Sequence, residues 1–152
     1  MLILGEIQLS KTLKPMDKEE IALVTQSWSQ IITDQEAVGK LFYKRLFELD
    51  PSLSNLFQPD ITEQARKFVS MITYLIYKLD DLDGVLMQAV DLGKRHQSYR
   101  VSLKDFDTVH QAFFETLEKS GSGVWNDQVH RAWDKVYALF EQAMKEGYRL
   151  MA

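Results

Sequence analysis

An all-α fold is predicted for this 152-residue chain from three observations. Apolar residues recur at spacings of three and four along most of its length, several of those stretches are preceded by a side chain able to cap a helix, and no segment reads convincingly as a strand. Glycine and proline are also scarce. Seven Gly and three Pro are a little over half of the roughly 12% that the two take in average proteins, so long uninterrupted helices are favoured.

The length is about one domain's worth. A composition of 45% apolar and 26% charged residues supplies one sizeable core and excludes disorder and collagen-like repeats. With 18 basic and 22 acidic residues the net charge is −4, which disfavours a nucleic-acid partner. No cysteine is present, which removes disulfides, thiolate metal sites and a thiol nucleophile. No apolar run approaches the roughly 20 residues of a membrane span, and Glu6 arrives too early for a secretion signal, so a cytoplasmic protein is expected.

Residues 1–16 show no helical period and are expected to form a loose arm, in which Leu2, Ile3 and Leu4 are the candidates for a lipid or partner contact. A domain follows over residues 17–150. Asp17 and Glu20 form a capping-box pattern ahead of Ile21, Val24, Trp28 and Ile31. A second helix is expected over 35–49, with Val38, Phe42 and Leu46 on one stripe. Asp50-Pro51 restarts the chain as a cap and a first helical residue, giving a short helix to Phe57.

Pro59-Asp60 breaks the chain again. The segment 61–79 follows, with Ala65, Phe68, Ile72, Leu75 or Ile76, and Leu79 in helical spacing; it is apolar on much of its circumference and is expected to lie centrally. Residues 82–98 carry Val85, Ala89, Leu92 and His96 on one face, with Asp80, Asp81 and Asp83 read as caps and loop charges. Ser102 with Asp105 announces a helix through Phe106, Val109, Phe113 and Leu117 that ends at Ser120-Gly121-Ser122-Gly123. Asn126 caps the last helix, with Val129, Trp133, Val136 or Tyr137, Phe140 and Met144.

Among three histidines, only His96 ends an otherwise apolar face; His110 and His130 read as surface or packing residues, and Trp28 and Trp133 as core. A metal-ligating imidazole needs an acceptor to orient its second nitrogen, and the carbonyl of Leu92 lies one turn back. Gln64, Phe68 and Ile72 fall on related turns of one helix, and Val101 follows His96 by five residues, so together they could line a flat cavity. Tyr43 offers a phenol that needs a partner if buried.

The chain resembles the globins over nearly all of residues 17–148. The resemblance is carried by Gln26-Ser27-Trp28, by Leu41 to Phe47, by Asp50-Pro51 with Leu56-Phe57-Gln58, by Leu92-Gly93-Lys94-Arg95-His96 with Val101, and by Ala132 to Tyr137. Tyr43 combined with Gln64, and the short gap between Phe57 and Gln64, look most like single-domain bacterial haemoglobins of the Hell's Gate type. The resemblance implies the three-over-three helical sandwich, with a short C helix and an absent or reduced D helix. It implies a haem b whose iron is held by His96 and whose ring stacks on Phe57.

In the same correspondence Tyr43 and Gln64 are the distal polar pair, Phe68 the distal wall, Lys67 a rim residue near a propionate, and Val101 the proximal edge. Ile72, Leu92, Phe106 and Tyr137 complete the haem-contacting set. Gln64 binds iron poorly, so the sixth site is expected open or weakly held, and hydrogen bonds from the distal pair, about 1–3 kcal/mol each in a dry cavity, would retain O₂. Departures stand beside these matches. Phe106 and Tyr148 (with Glu146 nearby) occupy the places of a proximal tyrosine and glutamate, Arg100 stands where many relatives have glycine, and Phe68 is bulkier than the usual aliphatic residue.

The expected function is reversible binding of O₂, with NO and CO as further ligands, for oxygen binding, transport or storage. One alternative is nitric oxide dioxygenation. No Gly-rich phosphate loop is present, so an external reductase would then be the partner. Another is a haem-free, globin-like sensor or interaction module. A second copy of the chain is a further candidate partner.

Overall fold

The computed structural model describes residues 16–151; the expectations for Leu2, Ile3 and Leu4 lie outside the described residues. Six α-helices and one 3₁₀ helix are formed among them, and no strand. Helix α1, Lys18–Ile31, opens with the expected capping box. Asp17 Oδ1 accepts the Glu20 N–H at 2.8 Å and Glu20 Oε1 accepts the Asp17 N–H at 2.9 Å, so two otherwise unpaired donors are satisfied reciprocally. Lys135 from the last helix reaches both oxygens of Glu20 at 2.9 and 3.0 Å. The backbone bond from Asp17, then Lys135, hold the Glu20 carboxyl below its usual range. Met16, assigned to the arm by the sequence, packs against the apolar core.

Helix α2, Gln35–Leu49, is capped by Asp34, which accepts the Ala37 N–H at 3.0 Å. The 3₁₀ helix Pro51–Leu56 begins at Asp50, whose Oδ1 accepts the Ser52 N–H at 3.1 Å. Residues 57–61 contain no helix, as the reduced D helix requires. Helix α3 is Thr62–Ile76, shorter than the 61–79 read from the pattern. Past Ile76 the bonding tightens into turns, with Lys78 N–H to Leu75 O at 3.2 Å and Leu79 N–H to Ile76 O at 3.3 Å. Leu79 stays buried, so the apolar stripe outlasts the helix. Nor is α3 surrounded: Glu63, Arg66, Lys67, Ser70 and Tyr74 form an exposed outer face.

Helices α4, Leu82–Ser98, α5, Asp105–Ser120, and α6, Asp127–Leu150, complete the fold. Asp81 caps α4 through the Gly84 N–H, and Asn126 caps α6 through the Val129 N–H at 2.9 Å. Only half of the Ser102/Asp105 box forms. The Asp105 carboxylate accepts the Ser102 N–H at 2.8 Å, while the Asp105 N–H goes to the Ser102 carbonyl at 3.0 Å. The Ser102 hydroxyl oxygen is left buried without a partner.

Helix α4 packs most extensively on α6, α2 on α3 and α5, and α1 on α6 and α3. The core centres on Trp28 and Trp133, with ring centroids 5.6 Å apart. Both indoles are satisfied: Trp28 Nε1 donates to Thr73 Oγ1 and Trp133 Nε1 to Ser27 Oγ, each at 2.9 Å. A second apolar cluster, Leu86, Ala89, Val90, Leu139 and Ala143, fills the α4–α6 crossing. That face of α4 adjoins the Val85, Ala89, Leu92, His96 face rather than duplicating it, so α4 is apolar on two sides. No helix among the described residues is long and apolar enough to cross a membrane.

Candidate functional site

Inward-facing apolar side chains on four helices fail to meet. Phe68, Ile72, Leu92, Val101, Val109 and Tyr137 remain only half-buried, because α3 and the α4–α5 corner stand apart from α5 and α6 around a cavity of about 160 Å³. A single water needs only about 10–15 Å³, so this is a ligand-sized space rather than a packing defect. Its walls are almost wholly apolar, with Met71, Leu75, Phe113, Val136, Phe140 and Met144 joining the residues above, and Asp105 and Glu141 the acidic exceptions.

His96 lines this cavity. Its Nδ1 donates to the Leu92 carbonyl at 2.6 Å, across one helical turn. That bond fixes the tautomer and ring orientation, leaving Nε2 as the lone-pair nitrogen. Nε2 has no hydrogen-bond partner among the described residues. The Tyr99 ring packs edge-on against the imidazole, centroids 6.2 Å apart. No group of three or more His, Cys, Asp or Glu that could hold a metal ion exists among the described residues, so any metal at His96 would need further ligands from elsewhere.

The structure brings His96, Phe68, Ile72, Leu92, Val101, Phe106 and Tyr137 to the lining of one cavity. It places four other sequence-derived candidates differently. Lys67 is exposed and pairs with Glu63 at 3.6 Å on the outer face of α3, away from the cavity, because a long charged side chain stays with water where a carboxylate is within reach one turn back. Phe57, Tyr43 and Gln64 belong to an adjoining aromatic cluster and do not line the cavity. The Phe57 and Tyr43 rings lie 5.2 Å apart. Phe68 connects the two regions: it lines the cavity, stacks on Phe42 at 4.2 Å and meets Tyr43 edge-on at 5.7 Å.

Gln64 Nε2 donates to the Tyr43 hydroxyl at 3.0 Å. The phenolic oxygen therefore accepts, and its own hydrogen has no acceptor among the described residues. Burial pushes the Tyr43 phenol up from 10.0 to about 12, with the Gln64 bond opposing. Tyr137 is raised further, by burial and then by the charges of Glu141 and Asp107. Both phenols stay neutral donors at ordinary pH.

The raised Tyr43 pKa carries a stability consequence. Below pH 10 both folded and unfolded chains hold the proton; between pH 10 and 12 only the unfolded chain releases it, so stability falls by up to about 3 kcal/mol as pH rises through that window. Tyr43→Phe is expected to flatten this part of the profile, measured by urea unfolding between pH 8 and 12. An unaltered slope would show that Tyr43 titrates normally.

Sequence reasoning missed Met71, Leu75, Val136, Phe140, Glu141 and Met144 as cavity residues and took Trp133 as core alone, although it also lines the cavity. Their helical spacing was visible, but a stripe facing a cavity and a stripe facing a neighbour have the same period. His110 and His130 pack among aromatic rings, His110 at 4.7 Å from both Phe114 and Tyr137, and His130 between Glu118 and Asp134.

A family model described as Globin matches residues 40–144. The chain belongs to the globin family. It is 27% identical to a neuroglobin of Dissostichus mawsoni, over 90% of this chain and 92% of that protein, and 25% identical to a neuroglobin of Danio rerio, over 90% and 94%. A solved structure described as a hexacoordinated heme protein from an anhydrobiotic tardigrade superposes with a TM-score of 0.81 at 16% identity, covering 89% of this chain and 96% of that one. That likeness establishes the three-over-three fold for this globin.

Proposed function

We propose that this globin holds a haem with His96 as the protein ligand to iron and binds diatomic gases reversibly, O₂ foremost. One observation carries the reading: on the wall of a partly open apolar cavity, the imidazole is tied back through Nδ1 to a neutral carbonyl while Nε2 is left unpartnered. The residues present fit the group. The cavity is apolar, and with no cysteine in the chain the porphyrin would be held without a thioether, as haem b. When bound, the iron supplies a coordination position for a diatomic gas.

The chain's own residues do the rest. Leu92 orients His96 through a neutral carbonyl, and no carboxylate partners its Nδ1, an arrangement that favours gas binding over peroxidase-like chemistry. Val101, Phe106 and Phe68 exclude water from the cavity walls. Tyr43, held by Gln64 in the aromatic cluster that Phe68 joins to the cavity, keeps a hydroxyl hydrogen without an acceptor among the described residues. This tyrosine–glutamine pair supports the single-domain bacterial type, whose glutamine leaves iron without a strong second protein ligand.

The test is the protein as purified, titrated with haemin if colourless. Expected are a Soret band, saturation at one haemin per chain and quenching of indole fluorescence, since Trp133 lines the cavity. A folded protein that refuses haemin would overturn the proposal in favour of a haem-free module.

A further inference from the structure

One stretch at the corner between α4 and α5 carries only basic charge, with Asp91 before it and Asp105 and Asp107 after it. From Leu92 to Lys104 the chain carries Lys94, Arg95, Arg100 and Lys104 and no Asp or Glu, within a protein of net charge −4. Lys94 approaches Asp91 at 3.8 Å. Arg95, Arg100 and Lys104 are exposed and make no ion pair among the described residues. The backbone winds tightly here, with Tyr99 N–H to Arg95 O at 3.2 Å, Val101 N–H to His96 O at 3.4 Å and Asp105 N–H to Ser102 O at 3.0 Å, which gathers these cations around one corner.

Two large apolar side chains lie exposed in the same stretch, next to Arg100 and Lys104 in the chain. Tyr99 is 61% exposed and Leu103 39%. An apolar centre with a charged rim is the anatomy of a protein-binding patch, and Tyr and Arg are the residues that most often dominate such patches. The backbone adds an independent sign. Arg100 has φ of 65°, the only positive φ of a non-glycine residue among those described. A branched-free but long side chain there costs folding free energy that glycine would not, and strain of this kind persists at functional positions.

We propose that this corner docks an acidic protein, whose carboxylates meet Arg95, Arg100 and Lys104 and whose apolar surface covers Tyr99 and Leu103. Charge complementarity selects the partner class. The net negative charge of the whole chain opposes an extended polyanion or an anionic bilayer, whereas a compact acidic patch needs only this corner. Occupancy is felt at the cavity, because the docked surface rests on Tyr99 and the Tyr99 ring touches His96.

The experiment titrates the isotope-labelled protein with an acidic flavodoxin as probe and follows amide shifts by NMR. Expected are shifts confined to residues 94–104 and neighbouring α5, with binding that weakens at least about tenfold between low and high salt. Arg95→Glu with Arg100→Glu and Lys104→Glu is expected to abolish the shifts while circular dichroism stays native. Arg100→Gly separates docking from structure: it is expected to raise Tm by about 2–4 °C by relieving the backbone while weakening binding about threefold or more, and Arg100→Lys to restore binding. Shifts elsewhere, indifference to the charge reversals, or preferential binding of phosphatidylserine vesicles or duplex DNA overturns the proposal. The readout needs no haem, so it stands or falls separately from the haem reading.

Discussion

Glycine in place of His96 is expected to strip the iron of its protein ligand and to lower haem affinity by more than the roughly 10–100-fold that follows when only a ligand's orienting partner is removed. The argument rests on the division of labour between the two ring nitrogens. Nδ1 is committed to the Leu92 carbonyl and cannot ligate without giving up that bond, so Nε2 is the only imidazole nitrogen free on the cavity wall. His110 and His130 do not line the cavity and cannot substitute.

Removing the ring leaves a space that free imidazole can fill. Added imidazole is therefore expected to restore the Soret position and much of the affinity in His96→Gly, and not in His96→Phe, where the space is filled. The checks are haemin titration and the absorption spectrum. An unchanged spectrum in His96→Gly would show that iron is held elsewhere. Loss of haem without rescue, in a protein whose far-ultraviolet circular dichroism is native, would make His96 a packing residue.

Much of this was legible in the sequence because it is written in local terms. The Asp17/Glu20 box, the Asp50 restart, the Asn126 cap and the Leu92–His96 bond each lie within four residues of chain, so spacing and side-chain chemistry determine them. What was not legible depends on distant packing. Lys67 and Phe68 are neighbours on α3, yet one turns to Glu63 and water and the other to the cavity. The end of α3 at Ile76 was hidden because Leu79 continues the buried stripe through turns. The Tyr43–Gln64 bond joins residues 21 apart; the sequence supplies both members as a candidate pair but cannot say that Phe68 rather than either of them faces the cavity.

The α4–α6 crossing was also out of reach, since nothing local marks Gly93 and Gly147 as more than tolerated helical glycines. A Cβ on Gly93 would lie 1.8 Å from the Met144 carbonyl oxygen, and one on Gly147 1.9 Å from that of Val90. Both obstacles are helix backbone, which cannot yield as a flexible side chain would. Alanine gains about 0.5–1 kcal/mol over glycine inside a helix, so the sign of Gly93→Ala is decided by whether the steric cost exceeds that.

Overlap of this size forces the helices apart along the Leu86, Val90, Leu139 and Ala143 contact, and the expected net loss is about 3 kcal/mol, larger for valine. The change should also reach the site, because Gly93 stands one turn before His96 on the same helix. Met87→Ala, on the exposed side of α4, is the control and should stay within about 0.5 kcal/mol. The two glycines share one gap, so Gly93→Ala with Gly147→Ala should cost less than the sum of the single changes: once the first has parted the helices, the second finds room. Strict additivity in urea unfolding, or a loss below about 1 kcal/mol in either single variant, would mean that the crossing is set by something other than these two close approaches.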